Sequence, residues 1–284
     1  MNTLPSEEEQ INRIIDLALE EDGVACDITT DAIIPPDLQV RAYIAAKEEG
    51  IMAGGKVARL VFRKVDPSLR FEIAVEDGEN IISGQSVATI TGHAASILKA
   101  ERTALNFLGR MSGIATAAAH YASLVKGAKT VILDTRKTAP GMRLLDKYAV
   151  RVGGGQNHRM HLGERVLVKD NHIAALRPSG MGIGDIVRKA RENAPETSLE
   201  IEVNTVEDAI GAAAAGADII MLDNMKPQDI DKALSSLPDK VKIEASGGVT
   251  PDNIRQIAQT GVDYISIGAL THSVKALDFS LEIA

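Results

Sequence analysis

The stretch LEIEVNTVEDAIGAAAAGADIIMLDN, residues 199–224, holds one repeat of the pattern that organises the second half of this chain. An apolar run ends in polar residues, an amphipathic segment follows, and a second apolar run ends the same way. Thr205 offers a helix N-cap, with Glu207 and Asp208 in the first turn behind it. From Glu202 to Asp223 and from Asp223 to Glu244 the step is 21 residues each time, about one βα unit. Related runs stand at TVILDT (130–135), RVLVKDN (165–171), VKIEASGG (241–248) and YISIGAL (264–270). In TPDNIRQIAQTG (250–261), Thr250 offers a cap, Pro251 the first helical position and Gly261 the stop. Continuously apolar strands are buried on both faces, so helices must cover a parallel sheet.

Six strands are visible, with AVRVG (149–153) as a candidate seventh. A full eight-fold barrel takes about 250 residues, whereas 172 remain after residue 112. The expected fold is therefore α/β, an incomplete (open) barrel of six to seven parallel strands, with a doubly wound sheet as second choice. Residues 1–112 read differently. Ser6 and Glu9 form a capping box ahead of Ile11, Ile14, Ile15, Ala18 and Leu19 at helical spacing. Strand-like VRAYIAA, FEIAV and SVATITG follow, then a long helix, AASILKAERTALNFLGRM. That region is α+β. The expected division is 1–112 and 113–270, with a tail, 271–284, that can pack on the first domain.

Composition is that of an ordinary globular protein, 45% hydrophobic and 25% charged with mean hydropathy near zero. A net charge of −8 argues against general affinity for nucleic acid or an anionic membrane. Cys26 is the single cysteine, which excludes an intrachain disulfide and a thiolate zinc site. The acidic start MNTLPSEEEQ lacks a signal peptide's apolar stretch, so a cytoplasmic location is expected.

Against that acidity, residues 134–172 carry eight Lys/Arg and four Asp/Glu, a local +4 that leaves −12 for the rest. Both barrels and doubly wound sheets bind ligands at the carboxyl ends of their strands. Here those ends carry Asp134-Thr135-Arg136-Lys137, Lys169-Asp170-Asn171, Glu202 with Asn204, Asp223-Asn224, Glu244 with Ser246-Gly247-Gly248, and Gly268. Arg136, His158, Arg159 and Lys169 can grip carboxylates or phosphates, arginine through its two-pronged fork. Ser246-Gly247-Gly248 precedes an expected helix start, where backbone N–H groups favour phosphate. Glu202 and Asp223 would repel the same ligands unless a hard cation such as Mg²⁺ intervened. The combination points to a phosphorylated substrate, a carboxylated second substrate and magnesium.

DTRKTAPGMRLLDKYAVRVGGGQNHR, VLVKDNHI, IEVNT, MLDNM, EASGGVT with SIGALTHS, and ERTALNFLGRMSGIAT resemble the quinolinate phosphoribosyltransferase family, in order, from about residue 20 to 280. One departure is Glu164, where the family commonly has aspartate. The resemblance implies that quinolinate and phosphoribosyl pyrophosphate give nicotinate mononucleotide, pyrophosphate and CO₂, a step of de novo NAD biosynthesis. It implies an N-terminal α/β sandwich, an open barrel, and a homodimer with shared active sites from which a higher assembly can be built. Quinolinate would be held by Arg102 of the neighbouring subunit with Thr135, Arg136, His158, Arg159 and Lys169. Lys137, Glu202, Asp223, Ser246, Gly247, Gly248, Ile267, Gly268 and Ala269 would serve the phosphoribosyl pyrophosphate. Glu202 and Asp223 would also hold the metal, and with Lys169 they form the catalytic set. The alternatives are a Schiff-base aldolase or decarboxylase using Lys169, a non-catalytic sugar- or phosphate-binding protein, and a family relative with a different carboxylated substrate.

Overall fold

A computed structural model describes residues 5–284. Up to residue 124 the elements are α1 (Glu7–Glu21), α2 (Ile28–Ile33), β1 (Gln39–Ala46), β2 (Gly50–Ile51), α3 (Gly55–Val65), β3 (Arg70–Ile73), β4 (Asn80–Ile81), β5 (Ser86–His93) and α4 (Ala94–Leu124). Then come β6 (Val131–Leu133), α5 (Arg143–Val152), β7 (Val166–Val168), α6 (Asp170–Leu176), α7 (Ile183–Asn193), β8 (Leu199–Val203) and α8 (Val206–Ala215). The chain ends with β9 (Ile219–Asp223), α9 (Pro227–Ser236), β10 (Lys242–Ser246), α10 (Ile254–Gln259), β11 (Tyr264–Ser266), α11 (Ala269–His272) and β12 (Phe279–Ile283).

Two compact units interleave along the chain. The first comprises residues up to Ala119 with Thr138–Gly154 and Ala269–Ala284; the second comprises His120–Lys137 and Gly155–Gly268. In the first unit an antiparallel sheet runs β12-β1-β5-β3. Its register pairs Ile44 with both Leu281 and Ala88. Ala42 and Ile44 alternate inward, as the pleat requires. The expected capping box is present, with the Glu9 N–H donating to Ser6 Oγ and the Ser6 N–H to Glu9 Oε2. The 112/113 position lies inside α4, an unbroken helix of 31 residues. Gly109 and Gly113, one turn apart on α4, admit the C-terminal tail. A Cβ at Gly113 would collide with the Lys275 carbonyl oxygen, and one at Gly109 would lie 2.7 Å from that of Leu277.

AVRVG is not a seventh strand; residues 149–152 are the last turn of α5, closed by Gly153. The alternation seen in five residues belongs to a longer helical pattern, in which Leu144, Leu145, Ala149 and Val150 are buried together. Arg110 clamps this helix by a two-pronged ion pair to the fully buried Asp146, both contacts 2.8 Å.

In the second unit six parallel strands run in the order β6-β11-β10-β9-β8-β7. The first and last strands, β6 and β7, are not paired, so the barrel is open. Residues 155–165 line this seam. The Gln156 N–H donates to Ile132 O (2.8 Å) and the Asp134 N–H to Gln156 O (3.1 Å). Arg159 Nη1 reaches across to the Arg165 carbonyl at 2.9 Å, just before β7. Thr205 caps α8 as expected, accepting the Asp208 N–H at 3.1 Å. The helix after Ser246-Gly247-Gly248, by contrast, starts at Ile254 rather than Pro251. Asn253 ties the preceding turn by accepting the Thr250 N–H (2.8 Å) and donating to Gly248 O (2.9 Å). Among the described residues no helix is long and apolar enough to cross a membrane.

Candidate active site

Side chains alternate along a strand, so every second residue of the barrel strands points to one face. On β8 these are Glu200 and Glu202, on β9 Met221 and Asp223, and on β10 Glu244 and Ser246. The register sets Glu202 opposite Met221, Met221 opposite Glu244, and Asp223 opposite Ser246. Glu202, Met221, Asp223, Glu244 and Ser246, with Thr135, Arg136 and Lys137 after β6, His158 and Arg159 from the seam, Leu167 of β7, Lys169 just after it and Ser266 of β11, line a cavity of about 320 Å³.

The rim of this cavity pits like charges against each other. Burial lowers the Arg159 pKa, and the Arg136 guanidinium beside it adds to that effect. Arg136 Nε is itself buried without a hydrogen-bond partner. On the other side burial raises Glu202, and the Asp223 charge pushes it further in the same direction. Two guanidinium groups ask for an anion, and two carboxylates ask for a cation. Hard oxygen donors on neighbouring strand ends suit a divalent ion such as Mg²⁺, so Glu202 and Asp223 fit the metal inferred from sequence.

One side-chain repeat deeper lie Glu200, Glu244 and His158, whose donor atoms approach within 4.8 Å of one another. Glu200 accepts from Arg165 Nη1 at 2.9 Å and faces His158 Nε2 at 3.1 Å. Burial alone would raise Glu200, but these two partners outweigh it and hold it below the ordinary value. The His158 N–H donates to the fully buried Asp134 at 2.9 Å, and His158 Nδ1 accepts the Arg159 N–H at 2.9 Å. Both ring nitrogens of His158 therefore face protein groups. The ring is suited to holding Arg159 in place.

The loop after β10 needs glycine. Gly247 and Gly248 have φ of +84° and +60°, and a Cβ at Gly247 would meet the Asn224 amide at 2.5 Å. Asn224, itself at φ 55°, donates its side-chain N–H to Asp223 Oδ2 at 2.8 Å. Lys169 is exposed at the end of β7. A Schiff-base lysine would be enclosed in an apolar pocket, so the aldolase reading loses its structural support.

Residues 27–112 match the pattern "Quinolinate phosphoribosyl transferase, N-terminal domain", and residues 114–282 match the corresponding C-terminal domain. A Nicotiana tabacum protein named quinolinate phosphoribosyltransferase [decarboxylating] 2b, mitochondrial, is 43% identical, covering 96% of this chain and 82% of that one. A probable nicotinate-nucleotide pyrophosphorylase [carboxylating] of Bacillus subtilis is 39% identical, covering 96% and 93%. The chain belongs to the quinolinate phosphoribosyl transferase family. The structure of the nicotinate-nucleotide pyrophosphorylase from Francisella tularensis superposes with a TM-score of 0.91 at 39% identity, covering 100% of this chain and 98% of that one.

Of the residues assigned a role in this transferase from sequence, Thr135, Arg136, Lys137, His158, Arg159, Lys169, Glu202, Asp223 and Ser246 meet in the one cavity. Gly247 and Gly248 form the loop that follows. Ile267 is buried, its N–H bonded to Leu133 O at 2.9 Å, with Gly268 and Ala269 after it; none of the three is among the lining residues. Arg102 is exposed on α4 of the first unit and is not among them either. Sequence reasoning missed Glu200, Arg165 and Ser266. The one available signal was Glu200, a second acid in register with Glu202 inside the otherwise apolar LEIEV.

Proposed function

We propose that this chain transfers the phosphoribosyl group of phosphoribosyl pyrophosphate to quinolinate with loss of CO₂, giving nicotinate mononucleotide and pyrophosphate for NAD biosynthesis. The observation that carries this reading is the cavity rim, where a cationic wall (Arg136, Arg159, Lys169) faces an acidic one (Glu202, Asp223). Family membership supplies the reaction; the rim supplies a place for each part of it. The guanidinium groups hold the two carboxylates of quinolinate and turn its ring nitrogen toward the ribose. That nitrogen attacks the anomeric carbon while the bond to pyrophosphate breaks, and Lys137 offsets part of the leaving charge. Bound to Glu202 and Asp223, Mg²⁺ would supply further charge neutralisation at the pyrophosphate. The alkylated nitrogen then draws in the electron pair released as the adjacent carboxylate leaves as CO₂. The ring carbon takes up one proton, and no covalent enzyme intermediate is needed.

Purified protein is expected to release CO₂ and pyrophosphate in equal amounts from quinolinate and phosphoribosyl pyrophosphate, and to stop in excess chelator. Release of pyrophosphate without CO₂, or turnover undiminished by chelator, would sink the reaction or the metal respectively. A reducing, cytoplasmic setting suits a chain whose one cysteine, Cys26, is exposed; the plant relatives, though, include ones named mitochondrial or chloroplastic.

The working form is a homodimer in which Arg102 enters the partner's cavity. Its exposure on α4, outside this chain's lining residues, supports that role. Subunits of inactive Arg102→Ala and Lys169→Ala variants, mixed and allowed to exchange, form mixed dimers in about half of pairings, each with one intact site. About a quarter of wild-type activity should therefore return. Mixing that restores nothing would place Arg102 outside any shared site.

A further inference from the structure

Glu244 stands in the deeper layer of the cavity, fully buried, and among the described residues neither of its carboxyl oxygens has a hydrogen-bond partner. The groups around it are Glu200 of β8, His158 and Arg165 of the seam, and the Ser266 hydroxyl of β11. His158 Nε2 lies 3.6 Å away, beyond hydrogen-bond range. Of the guanidinium groups nearby, Arg165 is committed to Glu200 at 2.9 Å and Arg159 also acts on Glu200, so neither is paired with Glu244. An unpaired carboxylate in such a place is prohibitively costly, so the count must close with a proton or a cation. Because His158 Nδ1 accepts the Arg159 N–H, the single ring proton sits on Nε2, which leaves that nitrogen no lone pair for a metal. The proton remains.

We propose that Glu244 works as a neutral, protonated carboxyl group, a positioning residue that lets His158 pin Arg159 and keeps the floor from setting a second negative charge beneath an anionic substrate. Burial first, and the Glu200 charge second, push Glu244 up to about 7, which agrees with this state. The inference rests on reading the cavity as the quinolinate site. As pH rises through that value Glu244 ionises, and the extra charge opposes the dicarboxylate held by Arg136 and Arg159.

Calorimetric titration of quinolinate into the wild-type protein should show Kd rising by roughly tenfold or more between about pH 6 and 8.5. Glu244→Gln, permanently neutral and of the same shape, should bind tightly and nearly without pH dependence, while Glu244→Ala should bind weakly throughout. The KM for quinolinate should follow these changes and that for phosphoribosyl pyrophosphate should not. A Glu244→Gln variant that keeps the wild-type pH dependence would overturn the proposal. Thermal unfolding separates this failure from a wrong substrate, because it needs no ligand. The unfolding midpoint of Glu244→Gln should pull ahead of wild type as pH rises from about 4.5 to 7, where only the folded wild type holds the proton. Parallel midpoints across that range would refute the protonated state even if quinolinate binds nothing; diverging midpoints without quinolinate binding would uphold it and indict the substrate assignment.

Discussion

Arg136→Ala and Arg159→Ala are each expected to lower kcat/KM for quinolinate by roughly 30- to several-thousand-fold. Each truncation leaves a desolvated substrate carboxylate without its charge partner, a loss of about 2–5 kcal/mol at 1.36 kcal/mol per decade of rate. The two losses should not add, because the Arg136 guanidinium lowers the Arg159 pKa and removing it relieves Arg159. Arg159 carries a structural share as well, through its bond to the Arg165 carbonyl across the seam. Arg159→Lys should therefore recover charge but not full activity, since an ammonium cannot reproduce the fork. Arg188, exposed on α7 and paired with Asp185 in the first turn of the same helix, is the control. Steady-state kinetics with quinolinate varied at saturating phosphoribosyl pyrophosphate reads the effect. A loss in Arg188→Ala as large as in the other two would mean that the cavity map is wrong.

The second large effect falls on stability. Arg110 is the two-pronged partner of Asp146, whose side chain is 0% exposed. Arg110→Met keeps the aliphatic stem but strands a buried carboxylate, which typically costs about 3–5 kcal/mol. Chemical denaturation of the first unit should show this as a lower midpoint with an unchanged slope. Arg110→Met with Asp146→Leu should regain much of the loss, because the cost lies in the unpaired charge and not in the missing attraction. If the single variant unfolds with wild type, the ion pair is not what holds α5 to α4.

The barrel could be read almost entirely from residues 130–270, because a parallel strand buried on both faces leaves a continuous apolar signature. The 21-residue step from Glu202 to Asp223 to Glu244 is that signature counted out. A succession of charges at the ends of such strands marks the mouth of the sheet, which is why Arg136, Lys169, Glu202 and Asp223 were legible as a site from sequence. AVRVG misled for the opposite reason: five alternating residues suit a strand, and only the company of Leu144 and Leu145 on one helical face decides otherwise.

Local sequence thus determined which residues carry charge at the strand ends and where the six strands of the barrel lie. Tertiary structure alone decided the rest. That the seam between β6 and β7 is lined by Gln156 and Arg159, that the tail crosses Gly109 and Gly113, and that Arg165 partners Glu200 are pairings across long stretches of chain. No periodicity records them. Glu200 and Glu244 show the reason most clearly. In sequence they are two more acids in apolar runs; the fold stacks them around His158 in a buried layer, and only that proximity turns one of them into a group that must keep its proton.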